Sequence, residues 1–169
     1  MALLIFLVWS VAVPKKRIWP APSWLSIGFW VVWIGIIAIF IGLVYVAVLD
    51  FDTWILSNQV RYFLGIPIFV IGTLYSFWAI GLMGAKNTLG IENGFVDKGP
   101  YRYCRNPQYA GDILILIGTI LFVNSELFTV PAVLSIIGFW LMPLPEESWL
   151  KERYGATYEK YFDKTSRFI

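Results

Sequence analysis

The chain has 169 residues, of which 59% are hydrophobic and only 14% are charged, and its mean hydropathy is +0.70. Because soluble domains carry roughly 25% charged residues, this composition excludes an ordinary soluble protein and predicts one polytopic membrane domain. The net charge of +2 gives no support for nucleic-acid binding, and one cysteine with no histidine excludes an intrachain disulfide and argues against a metal site.

The N-terminal half contains three apolar segments. The first, 1–13, is uncharged but short for a span, which usually needs about 20 residues, and it lacks the basic start of a signal peptide. The second, 24–49, is the clearest span. Its Gly28, Gly35 and Gly42 recur every seven residues, which predicts a face for close helix packing. The third, 62–83, contains Pro67, which is expected to bend it.

The C-terminal half alternates polar and apolar stretches. A polar stretch, 84–108, precedes two short apolar runs, 109–123 and 127–144, whose close spacing predicts a helical hairpin. The tail, 146–169, has apolar residues at helical spacing, typical of an amphipathic helix at the membrane surface, with an interruption near Gly155. The predicted fold is all-α: a membrane helical bundle of about five transmembrane segments in a single domain, with N-terminal spans at 1–83 and the loop, hairpin and tail at 84–169.

The basic residues predict the orientation. They cluster at 15–17, in the stretch 84–108 and in the tail, and all three clusters fall on one side if five segments cross. Because loops rich in Lys and Arg stay in the cytoplasm, the C-terminus and the polar loop are expected there, with the N-terminus outside.

The strongest candidate for a functional site is the stretch GPYRYCRNPQYAGD at 99–112. Glu146 and Glu147 follow the last apolar run on the same predicted face, and carboxylates at a membrane boundary are costly to bury unpaired. One interpretation is a structural clamp between these carboxylates and the loop arginines. The other is a site for a cationic nucleoside such as a sulfonium, in which carboxylates accept hydrogen bonds from ribose hydroxyls and tyrosines contact the cation or base.

Two motifs resemble those of a known family: GPYRYCRNPQYAG at 99–111 and EESWLKERYGATYEKYFDKTSR at 146–167. They are similar to the isoprenylcysteine carboxyl methyltransferase and phospholipid methyltransferase group, whose pattern is G-P-Y-x-x-x-R-H-P-x-Y-x-G, then a hairpin, then E-E-x-x-L-x-x-x-F/Y-G-x-x-Y-x-x-Y. The resemblance covers about 93–167. It implies an integral membrane methyltransferase that uses S-adenosylmethionine and a lipidic or membrane-partitioned small acceptor.

The resemblance also implies roles for individual residues. Arg105 would fix the loop or contact the substrate, with Glu147 as its partner. Apart from the resemblance, Glu147 or Glu146 is the strong base expected nearby if the acceptor is an amine or hydroxyl. The cofactor would be held by ten residues of the loop and the last helix: Asn93, Gly94, Phe95, Val96, Tyr101, Asn106, Pro107, Gln108, Tyr109 and Glu146. No metal is implied.

Two positions depart from the family pattern. The usual histidine is Asn106, which keeps hydrogen bonding but removes a proton-shuttling role. Enzymes that act on prenylcysteine have an arginine four residues before the first glutamate, where this chain has Met142. This difference predicts an acceptor other than a prenylcysteine carboxylate.

Two other functions fit parts of the sequence. The stretch 109–112, YAGD, ends like the motif of NADPH-dependent intramembrane sterol reductases, although these have more spans than this chain offers. The second alternative is a non-catalytic lipid-binding or scaffold protein with the same fold. The departures from the family pattern at Asn106 and Met142 favour it, and the retained Arg105 and Glu146 argue against it.

Overall fold

The computed structural model describes residues 2–13, 16–21, 23–89 and 94–168, with side chains from Ile5 onward. The N-terminal half forms α1 (Ala2–Ala12), α2 (Ile27–Leu49), α3 (Asn58–Val60), a π-helical turn (Arg61–Gly65), α4 (Ile66–Met83) and α5 (Ala85–Thr88). The C-terminal half forms a 3₁₀ turn (Gly99–Arg102), α6 (Pro107–Val123), α7 (Glu126–Leu141), α8 (Pro143–Tyr154) and α9 (Ala156–Lys164).

The predicted all-α membrane fold is confirmed. Three helical stretches are long and apolar enough to cross a membrane, namely Ile27–Leu49, Asn58–Met83 and Glu126–Tyr154, and Pro107–Val123 is a shorter apolar helix. The hairpin is also present, since only Asn124, in the left-handed region, and Ser125 separate α6 from α7. The tail forms α8 and α9 on either side of Gly155. The number of crossings and the position of the tail at the membrane surface stay predictions.

The third span differs from its predicted bounds because it includes a cation. The helix begins at Asn58, and Arg61 lies fully buried within it. The Arg61 guanidinium forms an ion pair with Asp52 and donates a hydrogen bond of 2.9 Å to the backbone carbonyl of Phe122. A paired charge is tolerated where an unpaired one is not. Pro67 lies inside this continuous helix, two residues after the π-helical turn Arg61–Gly65, and the bend expected there stays a prediction.

Glycines allow α4 and α6 to pack backbone to backbone. A Cβ atom on Gly72 would lie 2.7 Å from the backbone nitrogen of Ile115, and one on Gly111 would lie 2.7 Å from that of Ser76. Small residues at such positions let membrane helices approach closely. On α2, by contrast, a Cβ atom on Gly42 would meet nothing within 4 Å. The prediction of close packing at Gly42 is therefore wrong, because this part of α2 is largely exposed on the outside of the bundle.

Polar contacts join neighbouring segments at both ends of the bundle. At the hairpin turn, the Asn124 amide donates to Asp52 at 3.0 Å and Ser125 donates to Asp50. At the other end, Arg17 and Glu152 form an ion pair of 2.9 Å, which joins the first basic loop to α8. Lys15 lies outside the described residues. The Arg17–Glu152 contact is consistent with the first basic cluster and the tail lying on the same side of the membrane. Which side that is stays a prediction.

Candidate functional site

A cavity of about 850 Å³, part of it open to solvent, lies where the loop before α6 meets α8 and α9. Eight of the ten predicted cofactor residues line it: Gly94, Phe95, Val96, Tyr101, Asn106, Gln108, Tyr109 and Glu146. Pro107 is buried at the first position of α6 and is not among the lining residues. Asn93 lies outside the described residues. We refer to this cavity as the polar pocket.

Glu146 is the carboxylate of the polar pocket. The indole Nε1 of Trp19 donates to its Oε1 at 2.5 Å, and the Tyr109 hydroxyl donates to the same oxygen. Oε2 receives neither of these hydrogen bonds. The Tyr109 ring is in turn stacked on Phe139 of α7 at 6.1 Å between centroids. Elements from both halves of the chain therefore hold one acidic acceptor in place, and a carboxylate forms strong hydrogen bonds with hydroxyl or ammonium donors.

Aromatic rings form the second wall. Phe95 from the loop lies within 5.2–5.9 Å, between centroids, of Tyr154, Tyr158 and Tyr161. The Tyr161 hydroxyl donates to the backbone carbonyl of Tyr101 at 2.6 Å, which fixes α9 against the loop. Burial raises the pKa of Tyr158 and Tyr161, so both phenols are neutral at physiological pH. Neutral aromatic faces of this kind can stack on a base or contact a cation.

Arg105 and Glu147 form the predicted pair, and Arg167 completes a three-residue cluster. Arg105 Nε donates to Glu147 Oε1 at 3.2 Å, and Arg167 Nη2 donates to Oε2 at 2.7 Å. This hydrogen bonding to Glu147 raises the pKa of Arg167. Arg105 lines the polar pocket, but Glu147 is only 5% exposed and is not among its lining residues. Both Glu147 oxygens are engaged by arginines, which favours the clamp interpretation for this residue.

The segment after α9 is attached to the motif loop. The backbone N–H of Arg105 donates to the carbonyl of Ser166 at 2.9 Å, and the Asn106 amide donates to the carbonyl of Arg167 at 3.1 Å. The structural role of Asn106 thus needs one N–H donor, which an imidazole could also supply. The Cys104 thiol is buried in the same region, and burial raises its pKa, as expected of a packed thiol rather than a nucleophile.

Sequence reasoning missed Trp19 and Arg167. Trp19 lies outside the motifs that carry the resemblance, and its sequence neighbourhood contains no signal for a site. Arg167 ends the second motif, but its contact with Glu147 depends on the chain folding back after α9. In both cases the partner is a glutamate at the start of α8, and only the three-dimensional arrangement brings the pair together.

An apolar groove adjoins the polar pocket. It has a volume of about 960 Å³, part of it open to the outside, and lies between α1, α2 and α7, with Leu116 contributed by α6. Trp19 lines both the groove and the polar pocket. Met142, the position that departs from the family arginine, lines the groove and packs in a buried cluster with Leu7, Trp19 and Val32. Met142 therefore places an apolar side chain in apolar surroundings.

The fold thus combines helices that are long and apolar enough to cross a membrane with a polar pocket and an adjoining apolar groove. The phospholipid methyltransferase family model matches residues 60–157, more than half of the chain, and the chain belongs to this family. The matched region includes the motif loop, the hairpin and Glu146, and it begins after Trp19. The family predicted from the two motifs is thus confirmed.

Two curated relatives are both named "Probable protein-S-isoprenylcysteine O-methyltransferase", one from Oryza sativa subsp. indica and one from Oryza sativa subsp. japonica. Each is 28% identical over 109 residues, which cover 60% of this chain and 57% of the relative. The match therefore spans less than two thirds of the relatives' own length. No solved structure gives a significant match to the chain.

Proposed function

We propose that the protein is an S-adenosylmethionine-dependent membrane methyltransferase that acts on a lipidic or membrane-partitioned small acceptor. One observation carries the proposal: the Glu146 carboxylate, held by Trp19 and Tyr109, lies in an aromatic-walled pocket beside an apolar groove. Membership of the phospholipid methyltransferase family supports the reaction class. The names of the rice relatives support an acceptor that carries a lipid group.

The residues of the polar pocket fit this cofactor chemically. Glu146 can accept hydrogen bonds from ribose hydroxyls or an amino group, and the rings around Phe95 can stack on adenine or face a sulfonium. Gly94 has a φ of 99°, a conformation that permits close approach of its backbone and that other residues rarely adopt. When bound, the cofactor supplies an activated methyl group on a positively charged sulfur.

The protein then contributes alignment and exclusion of water. The buried Arg105–Glu147 pair holds the loop against α8, so the pocket wall is preorganised and the methyl donor and the acceptor can meet in line. A carboxylate or thiolate acceptor needs little help from a base. For an amine or hydroxyl acceptor, Glu146 is the proposed base because it lines the pocket, and Glu147 serves as a positioning residue.

The groove supports an acceptor that enters from the lipid between the helices, with its polar end at Trp19. Met142 leaves this part of the groove without the arginine that would pair with a prenylcysteine carboxylate. The family and the relatives nevertheless suggest two acceptor classes to test: a phospholipid amine and an S-prenylated cysteine. In the proposed orientation the C-terminus and the polar pocket are cytoplasmic, so the soluble cofactor reaches the pocket from that side.

The test is calorimetric titration of the detergent-purified protein with S-adenosylmethionine and S-adenosylhomocysteine. We expect micromolar binding to the wild type, loss of binding in Glu146→Ala, and unchanged binding in Glu159→Ala, which removes an equal charge from an exposed site on α9. Folded wild-type protein that binds neither compound overturns the proposal. A parallel titration with NADPH separates a methyltransferase from a reductase.

The acceptor can be identified with methyl-labelled cofactor. Two probes are compared: phosphatidylethanolamine in vesicles, and N-acetyl-S-farnesylcysteine. The labelled product shows which of the two is methylated. Cofactor binding without turnover on these probes or on a total lipid extract would favour the scaffold alternative over an enzyme.

A further inference from the structure

Trp19 occupies the boundary between the two cavities. Within the described part of the chain, it is the one residue that lines both the polar pocket and the apolar groove. Its side chain is 4% exposed, and its Nε1 donates to Glu146 Oε1 at 2.5 Å. One face of the site therefore contains an indole whose N–H points to the carboxylate and whose ring belongs to the apolar packing.

Contacts other than Glu146 hold this indole in place. Ser10 of α1, which is 2% exposed, accepts hydrogen bonds from the backbone N–H groups of Ile18 at 3.0 Å and Trp19 at 3.2 Å. The Trp19 ring meets Trp33 of α2 edge to face, with 6.5 Å between centroids. The indole therefore has contacts to α1 and α2 that do not depend on Glu146.

We propose that Trp19 is a positioning residue that fixes the Glu146 carboxylate and forms the partition between the polar pocket and the apolar groove. This inference rests on the proposed function, in which Glu146 contacts the methyl donor. The N–H fixes one carboxylate oxygen, so the other oxygen can face a ligand in a defined direction. The ring separates the polar ligand from an acceptor chain in the groove, so the two meet only where the indole ends.

The positioning role is tested with Trp19→Phe, which keeps an aromatic ring but removes the donor. Hydrogen bonds to charged groups are stronger than those between neutral groups. We therefore expect the Kd of S-adenosylhomocysteine for this variant to rise about 10-fold. The matched control is Trp9→Phe. It removes an indole N–H that donates to the Lys16 carbonyl at 3.3 Å, and Trp9 lines neither cavity. Its Kd should stay within about 2-fold of the wild-type value.

The partition is tested with Trp19→Ala in detergents of different alkyl length. In decyl and dodecyl maltoside, the wild type should bind S-adenosylhomocysteine with the same Kd because the indole keeps detergent tails out of the polar pocket. In Trp19→Ala, the longer tail should compete better, so the Kd should rise with alkyl length. Trp19→Leu replaces the alanine variant if the latter does not fold.

The outcomes separate the inference from the proposed function. Wild-type protein that fails to bind S-adenosylhomocysteine overturns both. Normal wild-type binding with an unchanged Kd in Trp19→Phe overturns the positioning role alone, and a Kd independent of alkyl length in folded Trp19→Ala or Trp19→Leu overturns the partition. A 10-fold rise in Trp9→Phe as well would attribute the effect to general loosening of α1 and would also count against the positioning role.

Discussion

Replacing Glu147 with alanine should destabilise the protein strongly, because it leaves a buried cation without its anion. The Arg105 side chain is only 8% exposed and the Glu147 side chain only 7%. Removing one partner of a buried ion pair typically costs about 3–5 kcal/mol. Arg105 retains its hydrogen bonds to the carbonyls of Phe162 and Thr165, so we expect the lower end of this range, about 3 kcal/mol.

The expected loss can be measured as a change in unfolding temperature at one fixed detergent concentration. For a chain of this size, 1 kcal/mol corresponds to about 2–4 °C, so Glu147→Ala should unfold roughly 6–12 °C below the wild type. Arg167→Ala should cost less, about 1 kcal/mol, because its side chain is 34% exposed and Arg105 continues to pair with Glu147. Glu159→Ala, at an exposed position, should leave the unfolding temperature unchanged.

A different pattern would refute this reasoning. If Glu147→Ala unfolds at the wild-type temperature and binds the methyl donor normally but has lost turnover, Glu147 acts as a base and not as a clamp. If Arg167→Ala is as damaging as Glu147→Ala, the cluster depends on its partly exposed arginine, and the burial of Arg105 is not the main source of its stability.

Three further predictions concern packing, pH and the motif loop. Gly118→Ala should lower the unfolding temperature because its Cβ would collide with the backbone of Phe69, whereas Gly81→Ala, with nothing within 4 Å, should not. Since burial raises the pKa of Tyr158 and Tyr161, the folded state keeps protons that the unfolded state releases above about pH 10. Stability should therefore fall as the pH rises from 9 to 11, and tyrosinate absorbance should appear fully only on unfolding. Asn106→Asp should lower thermal stability by placing an acceptor against a backbone carbonyl, and Asn106→His, which keeps a donor, should cost less.

Local hydropathy was sufficient to predict most of the helices. Apolar runs long enough for a membrane must be helical because lipid offers the backbone no hydrogen-bond partners, and this predicted the span ending at Leu49 and the α6–α7 hairpin. The start of the third span was missed for a definite reason. Arg61 raises the local polarity, but its acceptor is the carbonyl of Phe122, 61 positions away. A pattern confined to neighbouring residues cannot contain that contact.

Helix packing was less predictable than helix formation. Glycines spaced by seven occur in α2 and also at Gly65 and Gly72, and at Gly111 and Gly118. A Cβ atom on any residue of the last two pairs would lie within 3.0 Å of the backbone of a facing helix, whereas in α2 Gly28 meets a loop carbonyl at 3.3 Å and Gly42 meets nothing within 4 Å. Spacing identifies a face of a helix but not the neighbour that covers it.

The sequence predicted the part of the candidate site that lies within the short motifs. The motif loop and Glu146 line one pocket. This could be predicted because resemblance to a known family carries spatial information that composition does not. Trp19 remained hidden because its partner is 127 positions away, and Arg167 because its ion pair forms only after the chain reverses behind α9.

The distance along the chain between Trp19 and Glu146 also has a consequence for biosynthesis. The indole is translated with the first segments, and its acceptor is translated only after the hairpin has been made. The pocket therefore cannot close while the ribosome is still producing the middle of the protein. Under the proposed function, affinity for the methyl donor is a marker of completed insertion, so ligand-dependent protease resistance should distinguish finished molecules from those whose early and late segments have not yet met.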